Sequence, residues 1–99
     1  MSRPCKRRRV RGRPNSFYFK PAGIRKKELK ESILAIDEFE AIRLKDCLNL
    51  DQNECANKIN VSQPTFHRLI LSARKKIADA IVNGKAINIK GKDYLSEKN

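Results

Sequence analysis

The sequence predicts a mainly α-helical domain organised around two helices joined by a tight turn, with short extended segments near both ends. Asp51 and Ser62 stand where a side chain commonly caps the first turn of a helix. Between them, Asn60 tolerates the left-handed conformation that a tight turn requires. From Phe66 onward, apolar residues recur at helical intervals. These features together predict the helices and the turn.

The first of the two helices is predicted to begin at Gln52. Asp51 and Glu54 have the spacing of a capping box, in which each side chain accepts a hydrogen bond from a backbone N–H of the other residue. The helix is short, because the turn from Asn60 to Ser62 follows it. Its core-facing side is predicted to consist of Cys55, Ala56 and Ile59.

The second helix is predicted to begin after Ser62, with Pro64 in its first turn, and to end at Asn83-Gly84. Its apolar stripe is predicted to comprise Phe66, Leu69 or Ile70, Ala73, Ile77 and Ile81. The opposite face is polar and basic, and no acid occurs between Glu54 and Asp79. A nucleic acid would be met on this face.

A supporting helix is predicted from Glu38 to about Cys47, with Asp37 as its cap. Phe39, Ile42 and Leu44 would face the core. The acids of this helix are expected to form a solvated face that stays away from phosphate, because carboxylates are seldom buried. They are Glu38, Glu40 and Asp46.

Extended segments are predicted near both ends of the domain, which should span residues 16–95. Phe17, Tyr18 and Phe19 favour a short β-segment that ends at Pro21. Residues 86–91, AINIKG, alternate apolar and polar positions and are a candidate strand. That strand could pair with residues 17–19 or with its symmetry mate across a homodimer. Residues 96–99 are expected to fray.

Positive charge is concentrated before the predicted domain. The 99 residues carry a net charge of +12, and the first 30 contain twelve basic residues and one acid. Residues 1–15 have too little apolar content for a core, so we expect a disordered basic arm. It could be a phosphate anchor, or its Arg-Gly-Arg-Pro at 11–14 could act as an AT-hook in the minor groove. The candidate DNA-binding residues of the arm are Arg7, Arg8, Arg9, Arg11, Gly12 and Arg13.

Several other classes of function are not indicated. Cys5, Cys47 and Cys55 form no C-x-x-C pair, so we expect no metal site, and Cys47 and Cys55 are predicted to be small buried hydrophobes. The sequence contains no nucleophile with a base partner and no phosphate loop, so neither enzyme activity nor a cofactor is expected. No apolar run is long enough to span a bilayer, and a cytoplasmic location without membrane contact is expected.

Residues 57–77, NKINVSQPTFHRLILSARKKI, resemble the helix-turn-helix of region 4 of bacterial sigma factors and of related response-regulator output domains. A narrower resemblance is carried by this motif together with FYFKPAG, LAIDEFEAIRLKD and ARKKIADAIVNGKAINIKG. These segments resemble the uncharacterised protein family two-five-one, small prokaryotic proteins with a region-4-like motif, over residues 3–91. The resemblance implies a sigma region-4-like helix-turn-helix fold and DNA binding, but no defined target or reaction.

The expected function is sequence-specific binding of double-stranded DNA, in transcriptional regulation, with the second helix in the major groove. The residues nearest base edges would be Ser62, Gln63, Thr65, His67, Arg68 and Leu71. Arg74, Lys75 and Lys76 would contact the DNA backbone. Two alternatives remain: an RNA-binding or ribosome-associated protein, for which the basic arm would suffice, and a module that binds RNA polymerase.

Overall fold

The structure, a computed structural model, describes residues 8–91; predictions for residues 1–7 and 92–99 lie outside this range. Within it, three α-helices pack beside a three-stranded sheet. A 3₁₀ turn, Lys26–Glu28, and a π-helical turn, Arg43–Cys47, complete the regular structure of the described residues. The helices are α1, Ile36–Ile42; α2, Gln52–Ile59; and α3, Gln63–Asn83. The strands are β1, Tyr18–Phe19; β2, Glu31–Ala35; and β3, Ala86–Lys90.

The boundaries of α2 and α3 are set by the local signals that predicted them. A carboxylate oxygen of Asp51 accepts the Glu54 backbone N–H at 2.8 Å and caps α2. α2 ends at Asn60, whose φ of 72° is left-handed, and Ser62 then caps α3 by accepting a backbone N–H. α3 ends at Gly84, which has a φ of 66°. The predicted bounds of both helices are therefore confirmed.

A helical core holds α1, α2 and α3 together. Phe66 is fully buried, and both Leu69 and Ile70 lie in this core, although the sequence pattern required only one of them. Ala56 is small where α2 meets α3, which lets the two helices approach closely. The cluster consists of Ala41, Leu44, Cys55, Ala56, Ile59, Phe66, Leu69 and Ile70.

The predicted apolar stripe is wrong at the C-terminal end of α3. Ile81 is 73% exposed, whereas Ala80 is only 2% exposed. Helical periodicity permits either position after Ala73 and Ile77, and the size of Ile81 favoured it in the sequence. In the fold, this end of α3 lies against the sheet, where the small Ala80 fits the close approach.

The sheet has the strand order β1-β3-β2. β1 pairs antiparallel with β3, with Tyr18 opposite Asn88. Of the two predicted alternatives for β3, pairing with residues 17–19 of the same chain is therefore confirmed. β2 pairs parallel with β3, with Glu31 opposite Ala86. The sequence analysis missed β2, because its apolar residues run directly into those of α1. A second core cluster of Leu34, Ile36, Ala73 and Ile89 joins the sheet to α3.

The predicted start of the supporting helix is also wrong. α1 begins at Ile36, so Asp37 lies in its first turn and is not its cap. The Ala35 backbone N–H instead donates to Glu38 Oε1 at 2.8 Å, which is the interaction that closes the start of this helix. Direct continuation from β2 removes the loop that an Asp37 cap would need.

The solvated acidic face predicted for this helix is incorrect for two of its three acids. Glu38 is 5% exposed and Glu40 is 1% exposed, and each is paired with a basic residue. Asp46 is exposed, as predicted. Cys47 is exposed as well, so only Cys55 is the buried small side chain that was expected. Sequence spacing could not locate the basic partners that make burial of the two glutamates tolerable.

Candidate nucleic-acid interface

The first half of α3 presents a polar face to solvent while its apolar face anchors it in the helical core. Ser62, Gln63, His67 and Arg68 are exposed, and Leu71 is 48% exposed. Thr65 is half-buried. The structure therefore brings all six residues predicted to meet base edges to the start and outer face of one helix.

Three of these six residues hydrogen-bond to one another at the start of α3. Ser62 Oγ accepts the Thr65 backbone N–H at 3.3 Å and lies 3.0 Å from Thr65 Oγ1. Arg68 Nη2 donates to Thr65 Oγ1 at 3.3 Å, which holds the guanidinium against the first turn. Ser62 and Thr65 thus serve first as capping and orienting groups, and Arg68 is the side chain they direct.

Gln63 is positioned by a residue that the sequence analysis did not select. Its Nε2 donates to Asn53 Oδ1, in the first turn of α2, at 3.1 Å. This contact connects the exposed surfaces of the two helices and leaves the Gln63 amide oxygen available. The sequence offered no signal for Asn53, because this contact joins two helices across ten positions of the chain.

The three residues near the middle of α3 that are predicted to contact the DNA backbone differ in their ion pairing. Arg74 donates to both carboxylate oxygens of Asp46, at 3.1 and 2.7 Å, and its hydrogen bonds lower the pKa of that acid. Lys76 Nζ lies 2.8 and 3.0 Å from the oxygens of Glu38. Lys75 is exposed and makes no ion pair among residues 8–91. Of the three, only Lys75 forms no salt bridge within the described residues, although Asp79 interacts with it electrostatically.

Glu38 joins α1 to α3 through a buried set of hydrogen bonds. Its carboxylate accepts from the Ala35 N–H, from Lys76 and from Ser72 Oγ, the last at 2.6 Å. Burial by itself raises the pKa of Glu38, but these hydrogen bonds outweigh it and lower the pKa below its ordinary value. The ionised carboxylate therefore fixes the orientation of α3 on the rest of the fold.

Composition predicts a disordered arm over residues 1–15, of which the structure describes residues 8–15. From residue 8 onward it lies against the domain: the Arg9 N–H donates to the Ile59 carbonyl oxygen at 2.9 Å, and Val10 packs on the second core cluster. The Arg11 and Gly12 N–H groups donate to Glu40 at 3.0 and 3.3 Å. The sequence does not reveal that Glu40 is buried. Its carboxylate accepts the hydrogen bonds that hold this part of the arm against the domain.

Glu40 binds the arm and Arg43 at the same time. Each of its oxygens accepts one backbone N–H from the arm and one hydrogen bond from the Arg43 guanidinium, the latter at 2.8 and 2.9 Å. Burial raises the pKa of Glu40, but these hydrogen bonds lower it overall. A side chain at Gly12 would begin 2.1 Å from Arg43 Nε, so glycine permits this close approach. We call these three groups, Glu40, Arg43 and the 11–12 backbone, the clasp.

The arm, the turn and the start of α3 border a common groove. It has a volume of about 760 Å³, and its lining includes Arg8, Asn60, Thr65 and Lys90. Arg8 itself forms an ion pair with Asp37. The docked arm and the candidate base-contacting residues therefore lie on neighbouring parts of the surface, although they are far apart in the chain.

Within residues 8–91, no helix is long and apolar enough to cross a membrane. No three His, Cys, Asp or Glu residues in that range are grouped so that they could hold a metal ion. Arg7, a candidate DNA-binding residue of the arm, lies outside the described range, as does Cys5.

Comparison with known proteins places the chain in a family. A UPF0251 protein of Caldanaerobacter subterraneus subsp. tengcongensis is 58% identical over 94 residues, covering 95% of this chain and 80% of the relative. Another, from Thermoanaerobacter sp. strain X514, is 55% identical over 95% of this chain and 83% of the relative. No solved structure matches at a significant level. These relatives confirm the resemblance to family two-five-one. The model of the family described as "Protein of unknown function DUF134" matches residues 1–97, and the chain belongs to this family.

Proposed function

We propose that this protein binds double-stranded DNA in a sequence-specific manner and regulates transcription. In this proposal α2 and α3 form a helix-turn-helix of the sigma region-4-like type, and α3 enters the major groove. The basic arm contacts phosphate or the minor groove beside it. The protein acts in the cytoplasm on chromosomal DNA.

The observation that carries the proposal is the exposed, acid-free polar face of the first half of α3. A major groove admits an α-helix only if one side of the helix is free of packing and carries groups that hydrogen-bond to bases. Gln63, His67 and Arg68 provide such groups, and the apolar side of the same helix is anchored by Phe66. The three-residue turn after α2 holds this face at the surface.

Each exposed residue has a specific role in the proposal. Arg68 donates two hydrogen bonds to guanine, and Gln63 makes a bidentate contact with adenine. Leu71 meets a thymine methyl group, and its exposure of 48% leaves its side chain accessible. His67 contacts base or phosphate, while Ser62 and Thr65 orient the start of the helix and contribute hydroxyl groups.

Contacts to the DNA backbone come from residues around this face. Lys75 binds phosphate because its ammonium is exposed and forms no salt bridge among residues 8–91, although Asp79 interacts with it electrostatically. Arg74 and Lys76 contribute less, because Asp46 and Glu38 already neutralise them. Double-stranded DNA is favoured over structured RNA as the ligand, because the deep and narrow major groove of A-form RNA excludes an α-helix.

The proposal is tested by selecting bound duplexes from a random pool with the full-length protein and then measuring affinity for the selected site and for random DNA. We expect enrichment of a defined sequence and a preference of about 10³-fold or more for it. Equal affinity for all duplexes, or tighter binding to structured RNA in direct competition, would contradict the proposal. Retention of RNA polymerase without any affinity for DNA would support the polymerase-binding alternative instead.

A further inference from the structure

Three arginines of the docked arm project from alternate positions. Along residues 9–15 exposure alternates: Arg9, Arg11 and Arg13 are exposed, whereas Val10 and Gly12 are partly buried. This alternation is typical of an extended chain with one side against the protein. None of the three arginine side chains forms an ion pair with an acid of the described residues. The arm therefore presents a row of free guanidinium groups, which we call the arginine row.

The spacing of the arginine row suits a regular polyanion. An extended chain advances about 3.3 Å per residue, so alternate side chains begin roughly 6 to 7 Å apart. This distance is comparable to the separation of neighbouring phosphates along one DNA strand. Guanidinium groups bind phosphate oxygens in bidentate geometry, which makes them well suited to such a row.

The clasp opposes the alternative use of this segment as an AT-hook. Insertion into the minor groove requires the Arg-Gly-Arg backbone itself to enter the groove. Here the Arg11 and Gly12 N–H groups are held by Glu40, and Gly12 lies against Arg43. The absence of a side chain at Gly12 leaves room for the Arg43 guanidinium beside the arm. Insertion would require breaking the two hydrogen bonds from this backbone to the Glu40 carboxylate.

The neighbourhood of the row connects it to α3. The Arg9 N–H binds the last carbonyl oxygen of α2, at Ile59, and the turn to α3 follows directly. Arg8 and Thr65 border the same groove. The row thus begins beside the turn that precedes the proposed base-contacting residues, so that one duplex can reach both surfaces.

We propose that Arg9, Arg11 and Arg13 bind successive phosphates of one strand of the duplex that α3 contacts, and that Glu40 is the positioning residue that holds the row in place. This inference rests on the proposed function. The arm acts as a fixed part of the interface at a constant distance from α3. Its contribution is independent of base sequence, because phosphates carry no sequence information.

The first test removes the row. Full-length Arg9→Gln/Arg11→Gln/Arg13→Gln is compared with Lys20→Gln/Lys27→Gln/Lys30→Gln, which removes the same charge from exposed lysines between β1 and β2. Affinity for the selected duplex is measured over a range of salt concentrations. Loss of three phosphate contacts should make the slope of log affinity against log salt shallower by about 2 to 3 units, and the control should change it much less.

The outcomes separate this proposal from the proposed function. Equal slope changes in the two triple variants would overturn the row, while sequence-specific binding by the parent would still stand. Absence of binding by the parent would overturn both. A loss of preference for A·T-rich flanks in the row variant, without a change of slope, would replace phosphate binding by minor-groove insertion.

The second test addresses the positioning role of Glu40. Glu40→Gln removes a negative charge, so simple electrostatics predicts tighter DNA binding, whereas loss of the clasp predicts weaker binding. Glu28→Gln, at an exposed acid in the 3₁₀ turn, is the matched control. We expect faster hydrogen exchange at the Arg11 and Gly12 amides and several-fold weaker binding only for Glu40→Gln. Binding as tight as that of the Glu28 control would overturn the positioning role. If Glu40→Gln fails to fold, the row variant still tests the phosphate contacts of the three arginines.

Discussion

The two halves of α3 both carry basic residues in the sequence but have different surroundings in the fold. In the first half, Gln63, His67 and Arg68 face solvent without an acidic partner among the described residues. In the second half, Arg74 and Lys76 are paired with Asp46 and Glu38. One continuous helix therefore has a surface available to a ligand at its start, whereas farther along two of three adjacent cations are engaged by the rest of the protein.

This difference shows that net charge does not define an interface. A +12 chain attracts any polyanion, but only cations without a local partner gain much from meeting a phosphate. The paired cations orient the helix, and the unpaired ones are free to bind. The comparison can be tested by substitutions that affect the anchoring of α3, its ion pairs and its exposed face separately.

The largest effect is expected from loss of the core anchor that holds the first half of α3. Phe66→Ala should lower the free energy of unfolding by about 3 to 5 kcal/mol, because the ring is fully buried between helices. The matched control Ile81→Ala, at the exposed end of the same helix, should change it by no more than about 0.5 kcal/mol. Chemical denaturation measures both, and similar losses would contradict the two-sided description of α3.

The second prediction concerns the buried pair in the second half. Glu38→Gln should destabilise the fold at pH 7 by about 1.5 to 3 kcal/mol, because hydrogen bonds to an ionised carboxylate are lost. The folded pKa of Glu38 is lowered, so its contribution is fully present above the unfolded value of about 4.3 and is lost as pH falls through the folded pKa. The gap between parent and variant should therefore close on acidification.

Unfolding titrations at several pH values test this, with Asp46→Asn as a control. Asp46 also has a lowered pKa, but it is exposed and its pair with Arg74 is worth only about 0 to 1 kcal/mol. A constant gap between the parent and Glu38→Gln from neutral to acidic pH would mean that ionised Glu38 does not stabilise the fold.

The third prediction concerns base recognition by the exposed half. Arg68→Ala should cost roughly 1 to 3 kcal/mol on the selected duplex and relax preference at one base position, with little effect on random DNA. The exposed Arg68 side chain supports a small change in stability. Titration of both DNAs measures the difference, and equal losses on the two would make Arg68 a phosphate contact.

The smallest effect separates two neighbouring cations of α3. Lys75→Ala should make the salt dependence of DNA binding shallower by up to about 0.9 units, the value for one phosphate contact. Arg74→Ala should change it less, because Asp46 already engages the guanidinium through two hydrogen bonds. A full unit for Arg74 and none for Lys75 would reverse the assignment and indicate that DNA displaces Asp46.

Much of the candidate interface was predictable because its geometry depends on nearby residues. Asp51, Asn60, Ser62 and Gly84 act through their own turns, and their predicted roles are those seen in the structure. The exposed positions of α3 followed from helical periodicity once its start was known. Asn53 was missed because its interest lies in a hydrogen bond to Gln63, ten positions later, which no single helix pattern reveals.

The sequence by itself determined the helix boundaries around the turn, the polar face of α3 and membership of the family. Helix caps and periodicity depend on neighbouring residues, and the family motifs can be identified from the sequence directly. Only the tertiary structure decided the burial of Glu40, the docking of the arm and the pairing of β2 with β3. Each of these depends on groups that meet from distant parts of the chain. A glutamate looks solvated in sequence until a guanidinium and two backbone N–H groups supply the hydrogen bonds that make its burial favourable.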